Sequence, residues 1–135
     1  ADFNLSGNKC LFALLNYLPE ELLEAYSDED MELLIKENSA MAEAAQWAQE
    51  YVGGNKLLSP ATATHIKHND GRQQIMDGPF TESKEVLLGL HIVACRSIEQ
   101  AIEYAKSLPE TSLGVVEVRP VAYHEQRNLK WNRPG

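Results

Sequence analysis

The sequence predicts a single α+β domain in which an antiparallel sheet carries two main helices on one face. Two observations favour this class. Short continuous apolar runs, typical of strands, alternate along the chain with longer stretches in which apolar residues recur at helical spacing. In addition, the strand-like segments at residues 9–17 and 86–95 are apolar at both alternating sets of positions, which indicates strands covered on both faces.

One domain is expected to take in the whole chain, residues 1–135. This length is typical of a single domain, and we find no internal repeat and no linker. An N-terminal extension at residues 1–8 and a C-terminal tail at residues 122–135 are expected to flank the folded elements.

Two helices are predicted from their caps and their apolar spacing. A long helix is expected to begin after Ser27, a typical N-cap residue that is followed by three acidic residues. Its apolar positions continue to Val52, and the glycine pair at positions 53 and 54 is expected to end it. A second helix is expected to begin at Ser97, which opens a Ser-x-x-Gln capping box, and to end at Pro109.

Between the helices, the Asp-Gly dipeptide at positions 70 and 71 predicts a hairpin with a type I′ turn. A two-residue turn places Ile66 opposite Ile75 and Thr64 opposite Asp77. A three-residue turn would lose the apolar match between the two isoleucines. We therefore prefer the two-residue turn.

A last strand is predicted at residues 113–118, so the order is strand, helix, hairpin, strand, helix, strand. This order is typical of a ferredoxin-like fold, with both helices on one face of the sheet. In a lone two-layer domain, the second apolar face of the strands at 9–17 and 86–95 would be exposed. Large exposed apolar patches usually mark an interface, so we expect a homodimer formed sheet to sheet.

Composition excludes several classes of function. The formal net charge of −8 opposes binding to a phosphate backbone, so no nucleic-acid ligand is expected. The sequence has no apolar run near the ~20 residues of a membrane helix, and its beginning lacks the pattern of a signal peptide. A cytoplasmic protein without a membrane partner is therefore expected. P-loop and dinucleotide fingerprints are absent, and no cofactor is expected.

The cysteines and histidines do not form a pattern that predicts a metal site or a disulfide. Cys10 and Cys95 lie in strand-like apolar segments, where a buried reduced thiol is the simpler interpretation. His65 and His68 are three residues apart on a predicted strand, so their side chains should point to opposite faces. No metal site is expected.

Asp77 is a candidate general acid or base. In the preferred register it shares a face with Thr64 and the two hairpin isoleucines, where a carboxylate is costly unless it is paired. Desolvation there would make Asp77 a weaker acid, closer to the range that is useful for a general acid or base. The alternative is that Asp77 accepts hydrogen bonds from the turn at Gly78-Pro79.

His91 is the second candidate catalytic residue. The positions of Leu88, Leu90, Ile92 and Ala94 suit a helix-covered core, which assigns His91 to the opposite face of the strand, toward the dimer cavity. There its imidazole could contact a ligand. The alternative is a ring that only fills space in the packing.

The segment 76–85, Met-Asp-Gly-Pro-Phe-Thr-Glu-Ser-Lys-Glu, is the most distinctive part of the sequence. The chain resembles the YCII-related, DGPF-domain proteins, named for the tetrapeptide that begins here at Asp77. The acid and the Lys-Glu pair that follow the tetrapeptide in that family are matched by Glu82, Lys84 and Glu85. The resemblance extends back through residues 59–64 and forward to residues 116–121, and it implies a dimeric α/β-barrel of ferredoxin-like protomers.

The resemblance implies less about activity. The wider family is described as candidate enzymes, and one relative acts on a chlorinated aromatic ring. Other relatives pair a histidine on the first helix with an aspartate, but residues 19–52 of this chain contain no histidine, so that dyad is not transferred. DGPF-type members often accompany alternative sigma factors, which implies a regulatory role as a second interpretation.

Two functions are therefore predicted. The first is a small-molecule-binding protein or enzyme whose pocket lies near Asp77 at the dimer cavity, with His91 as the second catalytic candidate. Its ligand-binding residues would be Thr64, Glu82, Lys84 and Glu85. The second is a non-catalytic interaction or regulatory module, linked to an alternative sigma factor. Asp77→Asn distinguishes them, because it should abolish the response to a ligand in the first and leave partner binding nearly unchanged in the second.

Overall fold

The computed structural model describes residues 8–126 and has the predicted mixed α+β architecture. All but the last residue of the predicted N-terminal extension, and part of the predicted C-terminal tail, lie outside these residues. The strands are β1 (Cys10–Pro19), β2 (Tyr51–Lys56), β3 (Thr64–Asn69), β4 (Arg72–Asp77), β5 (Glu85–Cys95) and β6 (Val115–Pro120). The helices are α1 (Glu20–Ala25), α2 (Asp28–Trp47), α3 (Ile98–Lys106) and α4 (Glu110–Leu113), with a short 3-10 turn at Pro60–Thr62.

The main sheet has the strand order β2-β5-β1-β6, and all neighbouring strands are antiparallel. The two longer helices, α2 and α3, share one buried core with the sheet. Its members are Phe12, Leu14, Met41, Ala45, Val93, Cys95, Ala101, Ala105 and Leu108. This order and this one-sided helix layer confirm the ferredoxin-like fold.

Both helix starts carry the predicted caps. The hydroxyl of Ser27 accepts a hydrogen bond from the backbone N–H of Asp30, whose carboxylate accepts one from the N–H of Ser27 in return. Ser97 accepts from the N–H of Gln100 at the start of α3, but the Gln100 side chain accepts from the N–H of Arg96 and not from that of Ser97, so the predicted capping box is only half formed. These local signals act within one helical turn, which explains why sequence alone located both starts.

The fourth strand of the main sheet is β2, and not a strand of the hairpin. The prediction that the glycine pair ends the long helix was wrong: α2 ends at Trp47, and Gln49 adopts a left-handed backbone with a φ of 59°. Gly53 and Gly54 lie inside β2, paired with β5. Glycine both ends helices and permits close approach between strands, and here the second property applies.

The hairpin forms a separate two-stranded sheet from β3 and β4, in the predicted register. Thr64 lies opposite Asp77 and Ile66 lies opposite Ile75. The two turn residues have φ angles of 51° and 78°, both in the left-handed region that a type I′ turn requires. The isoleucines are 65% and 74% exposed, so this face of the hairpin is not part of the protomer core.

A bulge in β5 changes which side chains face the helices. Asn16 of β1 pairs with Gly89, but the next residue of β1 pairs with Leu87, which leaves Leu88 as an extra residue in β5. Beyond the bulge, Val93 faces α2 and α3, whereas Ile92 packs in the cluster on the opposite side of the sheet. The predicted faces of His91, Ile92 and Ala94 were therefore wrong, because strict alternation does not continue through a bulge.

The second face of the sheet is apolar, as the alternation in β1 predicts. Leu11 and Ala94 are buried there, and the half-buried side chains of Val52, Ile92 and Val121 pack against them. This face points away from α2 and α3. It is the surface on which the prediction of a homodimer rests.

The cysteines lie opposite each other in the β1–β5 register, and both are free thiols. Cys95 is buried as expected, and burial raises the pKa of its thiol to about 11. Cys10 is exposed, contrary to expectation, because it is the first residue of β1. Among residues 8–126, no helix has the length and apolar character needed to cross a membrane.

Candidate functional site

The residues predicted from the DGPF segment lie on the outside of the protomer. Thr64 and Asp77 face each other at the open end of the hairpin, and both are exposed. Glu82, Lys84 and Glu85 are exposed in and after the loop before β5. Within residues 8–126, no hydrogen bond joins the Asp77 side chain to another group, so neither its predicted turn-capping contact nor a buried environment is present in the protomer.

His91 lies apart from that group, in a buried hydrogen-bonded cluster between α2 and the sheet. It is 7% exposed. Its Nδ1 lies 2.8 Å from the hydroxyl oxygen of Tyr51, and its Nε2 lies 2.8 Å from Oδ1 of Asn38. Nδ2 of Asn38 in turn donates to both carboxylate oxygens of Glu110, at 3.1 and 3.0 Å. Four residues from four elements therefore form one chain of hydrogen bonds.

The direction of each hydrogen bond in the chain follows from the partners of Asn38. Its Nδ2 also donates to the backbone oxygen of Leu34 at 2.9 Å, so this end of the amide faces only acceptors. Oδ1 must then face His91, whose Nε2 carries the proton and donates it. Nδ1 of His91 is left as an acceptor and receives the hydroxyl proton of Tyr51. A neutral histidine satisfies every one of these contacts.

Bulges place Tyr51 and His91 on the same face of the sheet. Tyr51 pairs with Val93, and the register shifts before Gly53, so that Gly54 lies opposite His91. A Cβ atom at Gly54 would be 2.7 Å from Nδ1 of His91 and closer still to the hydroxyl of Tyr51. Glycine at this position is therefore required for the hydrogen bond between the two side chains.

Asn38 and Glu110 complete the buried end of the chain. Asn38 lies on the helix face that also carries Leu34 and Met41, one helical turn from each. Glu110 begins α4 directly after Pro109 and is 1% exposed. Asn16 of β1 approaches the same amide, with 3.4 Å from its Nδ2 to Oδ1 of Asn38. Its own Oδ1 is buried and has no partner within the described residues.

A cavity of about 260 Å³ opens beside this chain, between α2 and strands β2 and β5. Its wall includes Tyr51, His91, Asn38 and Glu110. It also includes apolar side chains such as that of Leu34, and the exposed, positively charged Lys56. We name it the α2 cavity. Neither Asp77 nor the other four DGPF-segment and hairpin candidates lie in its wall.

Burial determines the charge states of the site. It lowers the pKa of His91 to about 4, because the protonated ring would lose its hydration. Burial also raises the pKa of Glu110, although the hydrogen bonds from Asn38 favour its carboxylate and act in the opposite direction. The pKa of Tyr51 is raised by burial as well. At neutral pH the α2 cavity therefore presents an uncharged tyrosine held by a neutral histidine.

Three members of the chain were not identified from the sequence, although one of them, Asn38, and the glycine pair beside the chain have a recognisable signal. Asn38 interrupts an otherwise apolar stripe on α2, and a polar residue at such a position needs a buried partner. The glycine pair in β2 indicates that another group approaches the backbone closely. Tyr51 and Glu110 have no comparable signal, because only the folded chain brings them to His91.

No group of three or more His, Cys, Asp or Glu side chains in residues 8–126 is arranged to hold a metal ion. The α2 cavity provides neutral hydrogen-bonding atoms, the ammonium group of Lys56, and the carboxylate of Glu110, which accepts hydrogen bonds from the amide of Asn38. This set suits an organic ligand with both polar and apolar parts.

The buried neutral His91 should make stability depend on pH. In the unfolded chain His91 regains its ordinary pKa of 6.5, so between pH 6.5 and about 4 the unfolded state binds a proton that the folded state does not. The free energy of unfolding should therefore be highest above pH 6.5 and fall by about 3 kcal/mol as the pH is lowered through 4. Denaturant unfolding of the wild type and of His91→Gln over this range measures the effect.

The difference between these two proteins isolates His91, because Glu110 titrates in both. A difference in unfolding free energy that stays constant from pH 7 to pH 4 would show that His91 is not held neutral by burial. Long-range ¹H–¹⁵N spectra at pH 7 should in addition show the proton on Nε2.

Gly54→Ala should break the hydrogen bond between Tyr51 and His91. The new methyl group needs the space of that contact, so one side chain must move and a buried polar atom loses its partner, at a cost of about 1–3 kcal/mol. Gly53→Ala is the matched control, since its Cβ would have no atom within 4 Å. Equal unfolding free energies for the two variants would contradict the assigned role of Gly54.

Comparisons with known proteins place the chain in a family. The sequence profile described as "YCII-related domain" matches residues 12–125. An uncharacterized protein of Rhizobium meliloti (strain 1021) is 35% identical, in an alignment that covers 88% of this chain and 98% of that protein. The profile match includes the main sheet except the first two residues of β1, the hairpin, and every residue of the hydrogen-bond chain. The chain therefore belongs to the YCII-related domain family.

Proposed function

We propose that the protein binds a small organic molecule in the α2 cavity, with the hydroxyl oxygen of Tyr51 as the main polar contact. The hydrogen bond between Tyr51 and Nδ1 of His91, 2.8 Å long in the cavity wall, carries this proposal. Because the hydroxyl donates its proton to His91, its oxygen can accept a hydrogen bond from an N–H or O–H group of a ligand.

The surroundings of Tyr51 support the same proposal. Small-molecule sites are usually concave and mainly apolar, with a few oriented polar groups, and the α2 cavity combines these features. Beside it, Asn16 keeps a buried oxygen without a partner in the described chain, although an unpaired buried acceptor costs about 1–3 kcal/mol. Polar groups held at such a cost are common at functional sites.

We propose binding, rather than proton transfer, as the role of the hydrogen-bond chain. A general base works best when its pKa is near the working pH, and the pKa of His91 is about 4. At neutral pH, such a histidine accepts a proton too weakly to activate most substrates. It can, however, hold the Tyr51 hydroxyl in one orientation, which reduces the entropy lost when a ligand binds.

A thermal-shift screen of the wild type against a metabolite panel tests the proposal. A ligand at a hundredfold excess over its dissociation constant stabilises the folded state by about 2.7 kcal/mol, which is easily detected. For a hit in the α2 cavity, Tyr51→Phe should weaken binding about tenfold, because one hydrogen bond to the ligand is lost. Isothermal titration calorimetry measures the affinities.

Tyr26→Phe is the matched control, since this tyrosine lies outside the α2 cavity and should leave the affinity unchanged. Asp77→Asn separates the present proposal from the pocket predicted at the DGPF segment. A hit that is lost with Asp77→Asn but retained with Tyr51→Phe would contradict the α2 cavity as the site and support the predicted one.

The second predicted function, a non-catalytic interaction module, stays a prediction, as do the sigma-factor link and the cytoplasmic location. One observation favours an interaction role for the hairpin. Ile66 and Ile75 form an exposed apolar pair beside Asp77, and Phe80 in the following loop is 72% exposed. The proposed test for this function measures binding of the wild type and of Ile75→Lys to an alternative sigma factor, and the variant should bind more weakly.

We also propose that the protein is a homodimer formed through the second face of the sheet. The half-buried side chains of Ile92 and Val52 at this face adjoin the buried Leu11, and a second copy would remove this apolar surface from water. A twofold axis would place the same surface on both sides of the interface.

Ile92→Lys should convert the proposed dimer to a monomer, because two lysine side chains would then be buried near the axis without partners. Sedimentation equilibrium of the wild type and the variant measures the change in mass. The control is Leu33→Lys, at a 57% exposed position on α2, which should leave the mass unchanged. A wild type that sediments as a monomer would contradict the proposal.

A further inference from the structure

A second cavity lies next to the α2 cavity. It has a volume of about 360 Å³ and lies between α1, the start of α2 and the segment that follows β2. Both cavities include Lys56 and Leu88 in their walls, so they adjoin at these two residues. Together they have the size of a typical ligand site, about 300–1,000 Å³.

The wall of the second cavity is mainly apolar. It contains Leu23 of α1, Met31 of α2, and Val86 and Leu87 of β5. The segment after β2 adds Leu58, whose side chain is 77% exposed. A large aliphatic side chain at the edge of an apolar cavity remains in contact with water unless an apolar ligand covers it.

Lys56 provides a positive charge where the cavities adjoin. Its side chain is exposed, and its ammonium group donates to the backbone oxygen of Leu57 at 3.3 Å. Within residues 8–126, the two ion pairs are Lys9–Glu50 and Lys106–Glu103, so no carboxylate lies within 4.0 Å of this ammonium group.

The other charged residues of the second cavity are Glu20 and Glu24. Both lie at its α1 side, where their carboxylates would repel an anion. An anionic group is therefore favoured at Lys56, and the wall between Lys56 and α1 is left for an apolar group. Tyr51, on the other side of Lys56, can accept a hydrogen bond from the same ligand.

We propose that the ligand is an amphipathic carboxylic acid that occupies both cavities. Its carboxylate pairs with Lys56, its aliphatic or aromatic part fills the second cavity, and a hydroxyl or amino group near the carboxylate donates to Tyr51. This inference rests on the proposed function, because it assigns the chemical class of the molecule that binds beside Tyr51.

Calorimetric titrations with octanoate, octan-1-ol, octylamine and 3-hydroxyoctanoate test the inference. Octanoate should bind at least tenfold more tightly than the alcohol or the amine. Lys56→Met should remove this preference, whereas Lys56→Arg should keep it. Lys67→Met, an exposed position on the hairpin that lies in neither cavity, is the control and should bind octanoate like the wild type.

The hydroxyl group tests the contact with Tyr51. The wild type should bind the 3-hydroxy acid several-fold more tightly than octanoate. Tyr51→Phe should bind the two acids equally tightly. Circular dichroism of each variant confirms that it is folded.

Two results would overturn the inference. One is octanoate binding no tighter than octan-1-ol, and the other is unchanged affinity for octanoate in Lys56→Met. If a panel metabolite binds in a Tyr51-dependent manner while no carboxylate binds, the proposed function stands and the inference fails. If the carboxylates bind through Lys56 but Tyr51→Phe has no effect on the 3-hydroxy acid, the role of Tyr51 fails and the carboxylate class is supported.

Discussion

The bulge at Leu88 in β5 determines where the polar residues of this protein meet. With regular alternation, Leu88 and His91 would lie on opposite faces of the strand, as three positions along a strand require. The extra residue allows both to face α2, so Leu88 packs with Leu34 while His91 reaches Asn38. The apolar cluster of Leu34 and Leu88 therefore adjoins the polar site of His91 and Asn38.

Asn38 connects the two ends of that site. Its amide nitrogen is directed to the carboxylate of Glu110 and its amide oxygen to the imidazole of His91, so one side chain joins an acid and a base that do not touch. A buried polar group without a partner costs about 1–3 kcal/mol, which makes each contact depend on the others. The arrangement fixes the tautomer of His91 and, through it, the orientation of the Tyr51 hydroxyl.

This arrangement differs from the one that the DGPF segment suggested. Asp77 is exposed in the protomer, whereas His91 is buried there and is held uncharged by desolvation. The neutral, oriented hydroxyl of Tyr51 in the α2 cavity suits recognition of a ligand. Lys56, exposed where the α2 cavity adjoins the second cavity, adds the charge that would distinguish an anionic ligand from a neutral one.

The sequence by itself determined the features that depend on neighbouring residues. The caps at Ser27 and Ser97, the type I′ turn of the hairpin and the two-sided apolar strands all follow from local chemistry, and together they predicted the α+β, ferredoxin-like class. The tertiary structure decided what depends on distant residues. It placed Gly54 in a strand rather than at a helix end, turned His91 toward α2, and brought Tyr51, Asn38 and Glu110 to it. The physical reason is that a bulge and a close approach between strands are favoured by packing across the sheet, which sequence periodicity does not contain.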